Sequence, residues 1–146
     1  MIRKFCFISL LFVFLIPSYP EELFATNPEQ YSDLKIFYSA FPSSFISPKI
    51  ADSHQIIQSK NLGLVNIVGL NGFGDYVPLT IEGHVKNIFQ QKQSLEFDIV
   101  HDSGGLYYLA SFSYENEDFL TFNIWIQPHE ATQKHQIKFQ KIMYID

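Results

Sequence analysis

The sequence predicts an all-β domain built from antiparallel sheets packed face to face. Three observations carry this expectation. Short segments rich in Val, Ile, Phe, Tyr and Thr recur along the chain, with apolar and polar residues alternating as one-sided burial of a strand requires. Clusters of Gly, Asn, Asp, Ser and Glu separate these segments at residues 71–75, 102–105 and 115–118, where turns are chemically favoured. No repeat, low-complexity run or Pro/Gly-rich linker divides residues 26–146, and the 47% hydrophobic content excludes a disordered chain.

The first 25 residues stand apart. Arg3 and Lys4 precede an apolar run, residues 5–16, that is interrupted by Ser9 and ended by Pro17. Leu23, Phe24 and Ala25 follow, closing on a small residue. A basic start, a short apolar stretch and a small residue at the cut make a secretory signal peptide. The run falls short of the roughly 20 apolar residues a spanning helix needs. Cleavage is therefore expected, with no stable membrane anchor afterwards. A single domain, residues 26–146, remains in the periplasm or, alternatively, is secreted. Cys6 is the one cysteine of the sequence and leaves with the leader. The exported domain then has no disulfides and no thiolate chemistry, so its stability rests on its core.

Within that domain, residues 33–41 form the first expected strand, with Leu34, Ile36 and Tyr38 in alternation. Ser47 followed by Pro48 reads as an N-cap with proline at the first helical position, so a short helix over residues 48–54 is expected. Residues 62–70 are the second strand, and residues 71–75 a hairpin loop in which Asn and Gly tolerate positive φ. In the third strand, residues 76–88, Val77, Leu79, Ile81 and Val85 share the inner face; Thr80, Glu82, His84 and Lys86 share the solvated one. Residues 94–100 place Leu95, Phe97 and Ile99 inward. Residues 106–114, 119–127 and 135–144 complete the set, with Ile137 and Phe139 inward in the last. About seven strands in a chain of this size suggest an immunoglobulin-like antiparallel β-sandwich with one short helix. A small β-barrel is the alternative.

Arg3, Lys4, Glu21 and Glu22 leave with the leader, two of each sign, so the mature domain keeps the net charge of −5. An acidic domain of about 120 residues is one folding unit and lacks the cationic footprint that nucleic acid requires.

Several stretches occur together in a distinctive order. Leu34-Lys35-Ile36-Phe37-Tyr38 precedes Pro42-Ser43-Ser44-Phe45-Ile46-Ser47-Pro48. Ser59-Lys60-Asn61, Gly63-Leu64-Val65-Asn66-Ile67 and Gly83-His84-Val85-Lys86-Asn87 come next, then Tyr107-Tyr108-Leu109-Ala110-Ser111-Phe112 and Gln140-Lys141-Ile142-Met143-Tyr144-Ile145-Asp146. This order resembles the DUF4426 family, small exported proteins of Gram-negative bacteria whose function is unknown. The resemblance spans nearly the whole mature chain. It departs at Ile142-Met143-Tyr144, where a Phe-Tyr pair is expected, and in the loop of residues 71–75. It implies a periplasmic location and one β-rich domain, and it supplies no catalytic residues.

The residues themselves offer little catalytic chemistry. His129-Glu130 with His135 superficially resembles a zinc-protease motif, but the two His are six apart instead of four and follow Pro128 in a turn. They are weak metal candidates, and a solvated turn is the simpler account. His84 and the pair His101-Asp102 have the chemistry of a general base, yet no nucleophile motif accompanies either. Gly69, Gly72 and Gly74 lack the lysine and following helix of a phosphate loop. The acidic turn of residues 115–118 lacks the ligand spacing of a calcium loop. A non-enzymatic protein without cofactors is expected.

One feature is less ordinary. If residues 115–118 close a hairpin, Tyr107, Leu109 and Ser111 oppose Ile126, Ile124 and Phe122 on a core face. The other face then gathers Tyr108, Phe112, Tyr114, Phe119 and Trp125 beside Asn123 and Gln127. A solvated sheet face rarely carries so many aromatic residues. The stripe is a second core beneath residues 47–58 or the N-terminal residues, a docking surface for an envelope protein, or a stacking platform for a small ligand or glycan. A docking or stacking role requires that Tyr108→Ala and Trp125→Ala leave the fold stable. The leading functional expectation is a protein-interaction module of the cell envelope, and the alternative is a small-ligand or glycan binder.

Overall fold

A computed structural model describes residues 28–146; the signal-peptide reading of residues 1–25 lies outside the described residues. Among the described residues, nine strands form two antiparallel sheets. They are β1 (Glu29–Tyr31), β2 (Leu34–Pro42), β3 (Leu62–Leu70), β4 (Leu79–Lys86), β5 (Lys92–Leu95), β6 (Asp98–Asp102), β7 (Gly105–Ser113), β8 (Asp118–Pro128) and β9 (His135–Met143). One sheet has the order β1-β2-β3-β7-β6 and the other β5-β4-β8-β9, with no closure into a barrel. The fold is a β-sandwich. Helix α1 (Pro48–Ser53) begins where the sequence places it, with Ser47 Oγ accepting the Ile50 N–H at 3.3 Å.

Alternation decides what each strand buries. Ile36 and Ala40 of β2, Val65 and Ile67 of β3, and Tyr108, Ala110 and Phe112 of β7 point to the space between the sheets. Leu79 and Val85 of β4, Leu120, Phe122, Ile124 and Ile126 of β8, and Ile137 of β9 meet them from the other side. A chain of rings joins the two layers. Tyr38 packs on Phe139 at 4.8 Å, Phe139 stacks on Phe122 at 4.6 Å, and Phe122 meets the edge of Phe112 at 5.2 Å. Each such pair is worth about 0.5–1.5 kcal/mol beyond the area it buries.

Three departures from the sequence reading have physical causes. The segment 94–100 is two strands, because β5 and β6 lie in different sheets and the chain crosses between them at Glu96-Phe97. Leu95 is consequently buried while Ile99 faces solvent. The tight turn at residues 71–75 is present, held by Asn71 Oδ1 accepting the Phe73 and Asp75 N–H groups at 2.9 and 3.0 Å. Past the Leu70–Tyr76 bridge, however, the strands it joins part into opposite sheets. The third departure matters most. Residues 115–118 do not close a hairpin, since β7 pairs with β3 and β6 while β8 pairs with β4 and β9.

That connection carries the chain from one layer to the other, so β7 and β8 face each other across the core instead of lying side by side. The residues that fill the core from both strands, Tyr108, Ala110 and Phe112 on one and Leu120, Phe122, Ile124 and Ile126 on the other, are all even-numbered. An antiparallel hairpin through residues 115–118 would have paired even with odd positions and forced one of the two strands to turn its apolar face outward.

Candidate functional site

The aromatic stripe expected on one face is therefore divided. Tyr108, Phe112 and Tyr114 belong to the core between the sheets. Tyr108 and Phe112 face the opposite sheet, whereas Tyr114 also borders a cavity lined by Pro48 and Gln58. Tyr108 is 4% exposed, and its hydroxyl accepts the Leu79 N–H at 2.8 Å across the sandwich. Phe119, Asn123, Trp125 and Gln127 alternate onto the outward face of the β5-β4-β8-β9 sheet. The expected site thus splits into a structural half and a surface half.

On the outward face, register brings β4 rather than β7 beside Trp125. Trp125 pairs with Glu82 on one side and Gln136 on the other; His84 pairs with Asn123, which pairs with Lys138. Trp125 reaches diagonally to His84, their ring centroids 5.7 Å apart at an angle of 41°. Glu82, His84, Lys92, Ser94, Glu96, Trp125 and Lys134 line an open groove of about 820 Å³. Lys134 Nζ donates to Glu82 Oε1 at 2.9 Å, and both side chains are largely exposed, so the pair contributes about 0–1 kcal/mol. Burial of the imidazole, then Lys92 and Lys86, hold the pKa of His84 below the ordinary histidine value. His84 is accordingly neutral at pH 7 and offers a lone pair to a donor.

The other surface residues take different roles. Gln127 Nε2 donates to the Ala131 carbonyl at 2.9 Å and closes the turn before β9. Asn123 is buried between its neighbours. Phe119 and its cross-strand partner Ile142 remain 38% and 43% exposed at the far end of the same sheet. Lys86, Lys92, Lys134 and Lys138 all sit on this face, against Glu82 and Glu96, so it is basic although the chain is acidic overall.

Among the described residues, no three His, Cys, Asp or Glu side chains lie close enough to share a metal ion. His135, one of the weak metal candidates with His129 and Glu130, stacks on Tyr31 at 4.0 Å. Glu82, Lys92 and Lys134 were missed as site residues. Alternation had already placed Glu82 and His84 on a solvated face, and the missing fact was that β4 is the neighbour of β8.

The family model described as "Domain of unknown function (DUF4426)" matches residues 28–146. No curated protein matches the sequence. A crystal structure of a DUF4426 family protein from Pseudomonas aeruginosa PAO1 is similar with a TM-score of 0.76 and 28% identity, over 82% of this chain and 95% of that one. FetP from uropathogenic E. coli strain F11, expressed recombinantly in the periplasm, is similar with a TM-score of 0.60 and 14% identity, over 82% and 93% of the two chains. A copper-bound variant of FetP gives a TM-score of 0.59 at 14% identity, over 82% and 95%. At that identity the FetP likeness concerns the fold alone.

Proposed function

The chain belongs to the DUF4426 family, and from that premise and the geometry of its outward sheet face we propose a non-catalytic binding module of the bacterial periplasm whose partner is an envelope protein. The signal-peptide pattern of residues 1–25 and the periplasmic expression of FetP support the location. The carrying observation is the basic face of the β5-β4-β8-β9 sheet, where half-buried Trp125 lies in a groove and, beyond Thr121, Asn123, Lys138 and Gln140, Phe119 and Ile142 stand exposed at the far end. Aromatic anchors inside a charged rim are the usual composition of a protein interface. The lysines of this face select an acidic partner surface.

The test places a photoreactive amino acid at position 125 or 142 in cells, with position 73 at the end of the β3–β4 loop as the control. The expected result is a discrete protein adduct from positions 125 and 142 that Lys92→Glu with Lys138→Glu abolishes. Equal adducts from position 73 overturn the reading. Saturable quenching of Trp125 fluorescence by cell-wall fragments, without a protein adduct, replaces the protein partner with a glycan.

A further inference from the structure

The outward face of the other sheet holds a second, unrelated concavity. Phe37 and Ser39 of β2, and Asn66, Val68 and Leu70 of β3, alternate onto that face, where Ser39 pairs with Asn66 and Phe37 with Val68. Tyr76, from the loop after β3, and Tyr107 of β7 complete a pocket of about 220 Å³ over these side chains. The two tyrosine rings lie 6.1 Å apart at 58°, and the neighbouring Tyr76 hydroxyl raises the pKa of Tyr107. Gly105 makes room for this arrangement, because a Cβ built there would stand 2.5 Å from the Tyr107 ring.

Asn66 is 7% exposed, and its Oδ1 is buried with no hydrogen-bond partner. Among the described residues it is the one buried side-chain oxygen or nitrogen in that position. An unpaired buried carbonyl forfeits a hydrogen bond that folded proteins rarely surrender. Rotation about the last side-chain torsion exchanges its oxygen and its NH₂ group, so the amide can offer either an acceptor or a donor to a bound molecule.

We propose that this pocket binds a small neutral molecule of single-ring size bearing several hydroxyl groups, a monosaccharide. Three properties of the lining select that class. No Lys, Arg, Asp or Glu lines it, so it offers no counter-charge to an ion. Its volume lies below the roughly 300–1,000 Å³ of sites for drug-sized ligands, which admits one ring and excludes an oligomer. The polar groups are one amide and the hydroxyls of Ser39, Tyr76 and Tyr107, which accept and donate as sugar hydroxyls do. Phe37, Val68 and Leu70 supply an apolar floor for the C–H face of the ring. Because Asn66 Oδ1 is sealed from solvent where it stands, the amide turns over to present it to a ligand hydroxyl, which then supplies the missing partner.

The test is a titration of the protein, expressed from its full sequence, with glucose, galactose and N-acetylglucosamine, followed by NMR at the Asn66 side-chain amide. The expected result is a saturable shift with at least one sugar. Asn66→Leu abolishes it, Tyr76→Phe or Tyr107→Phe weakens binding about tenfold, and Trp125→Ala leaves it unchanged. Absence of a saturable shift with all three sugars overturns the proposal. So does a shift that survives in folded Asn66→Leu, or a crystal structure grown with the sugars in which a lone water bonds to Asn66. Retained binding in the two Phe variants keeps the test decisive if Asn66→Leu fails to fold, because it too overturns the proposal.

Discussion

Tyr108→Phe isolates one oxygen atom in the middle of the sandwich. Tyr108 and Leu79 are both buried, and the Leu79 N–H donates to the phenol oxygen at 2.8 Å. The substitution leaves the ring and its packing in place while stranding a backbone N–H away from water. A buried donor left without its partner costs about 1–3 kcal/mol. For a domain of this size that corresponds to a fall in Tm of roughly 4–12 °C, and to a urea midpoint lower by about 0.5–2 M at unchanged m-value. Tyr108→Ala adds loss of a buried ring and costs about 3–5 kcal/mol or more. Trp125→Ala, on the outward face, stays within about 1 kcal/mol. Urea unfolding followed by far-UV circular dichroism and by calorimetry measures all three. A Tyr108→Phe midpoint indistinguishable from the parent protein would refute the cross-sheet bond and return Tyr108 to the surface role its sequence position suggested.

Two further outcomes follow from the packing. Gly63→Ala is expected to cost about 1–3 kcal/mol by chemical denaturation, since a Cβ there would stand 2.3 Å from the Phe112 ring, which is itself pinned edge-on against Phe122; restored stability in Gly63→Ala with Phe112→Leu would locate the clash. Because the His84 pKa is lowered in the fold, the unfolded chain takes up the proton first, so stability declines as pH falls through the ordinary histidine value of 6.5 and levels off below the folded value. Trp125 emission, sensitive to the imidazolium beside it, reports the same titration below pH 6.5, and His84→Gln removes it.

Much of the sandwich was legible in the sequence because alternation is a local property. Leu34, Ile36 and Tyr38, then Leu79, Ile81 and Val85, and later Ile137 and Phe139, declare their inner faces without reference to any neighbour, and the structure buries or half-buries each of them. Ser47-Pro48 declares the helix start in the same local way. Strand neighbours are not local. The polar tetrapeptide at residues 115–118 suits a hairpin and a sheet-to-sheet crossing equally well, so pairing β7 with β8 was chemically reasonable and topologically wrong. A decisive signal was nevertheless present. Leu106, Tyr108, Ala110, Phe112 and Tyr114 form an unbroken apolar set, whereas the alternate positions include Ser111 and Ser113. Giving that alternation precedence over the turn would have turned Tyr108 inward. The site suffered from the same cause. Trp125 and Phe119 lie on an outer face, but the company Trp125 keeps, Glu82, His84 and Lys134, depends on which strand lies beside β8.

A sandwich without cysteine in its described residues must secure its open sides by other means, because strand edges invite pairing with foreign chains. Side chains reaching across to backbone groups do this on both sides. On one, Gln93 of β5 grips Ser113 at the end of β7, its Nε2 donating to the carbonyl and its Oε1 accepting the N–H, each at 2.8 Å. The amide of Gln93 thus imitates one peptide unit of a neighbouring strand. On the other, Tyr31 of β1 donates to the Gln136 carbonyl of β9 at 3.2 Å, and Lys141 of β9 donates to the Ala40 carbonyl of β2. Tyr108 and Leu79 make the corresponding bond in the interior. All five bonds join one sheet to the other, which a ladder bond between strands of the same sheet cannot do. These bonds engage backbone groups at Ala40, Ser113 and Gln136, so those points are closed to a foreign strand. The recognition proposed through Trp125 on one face and Asn66 on the other uses outward side chains and requires no strand to open.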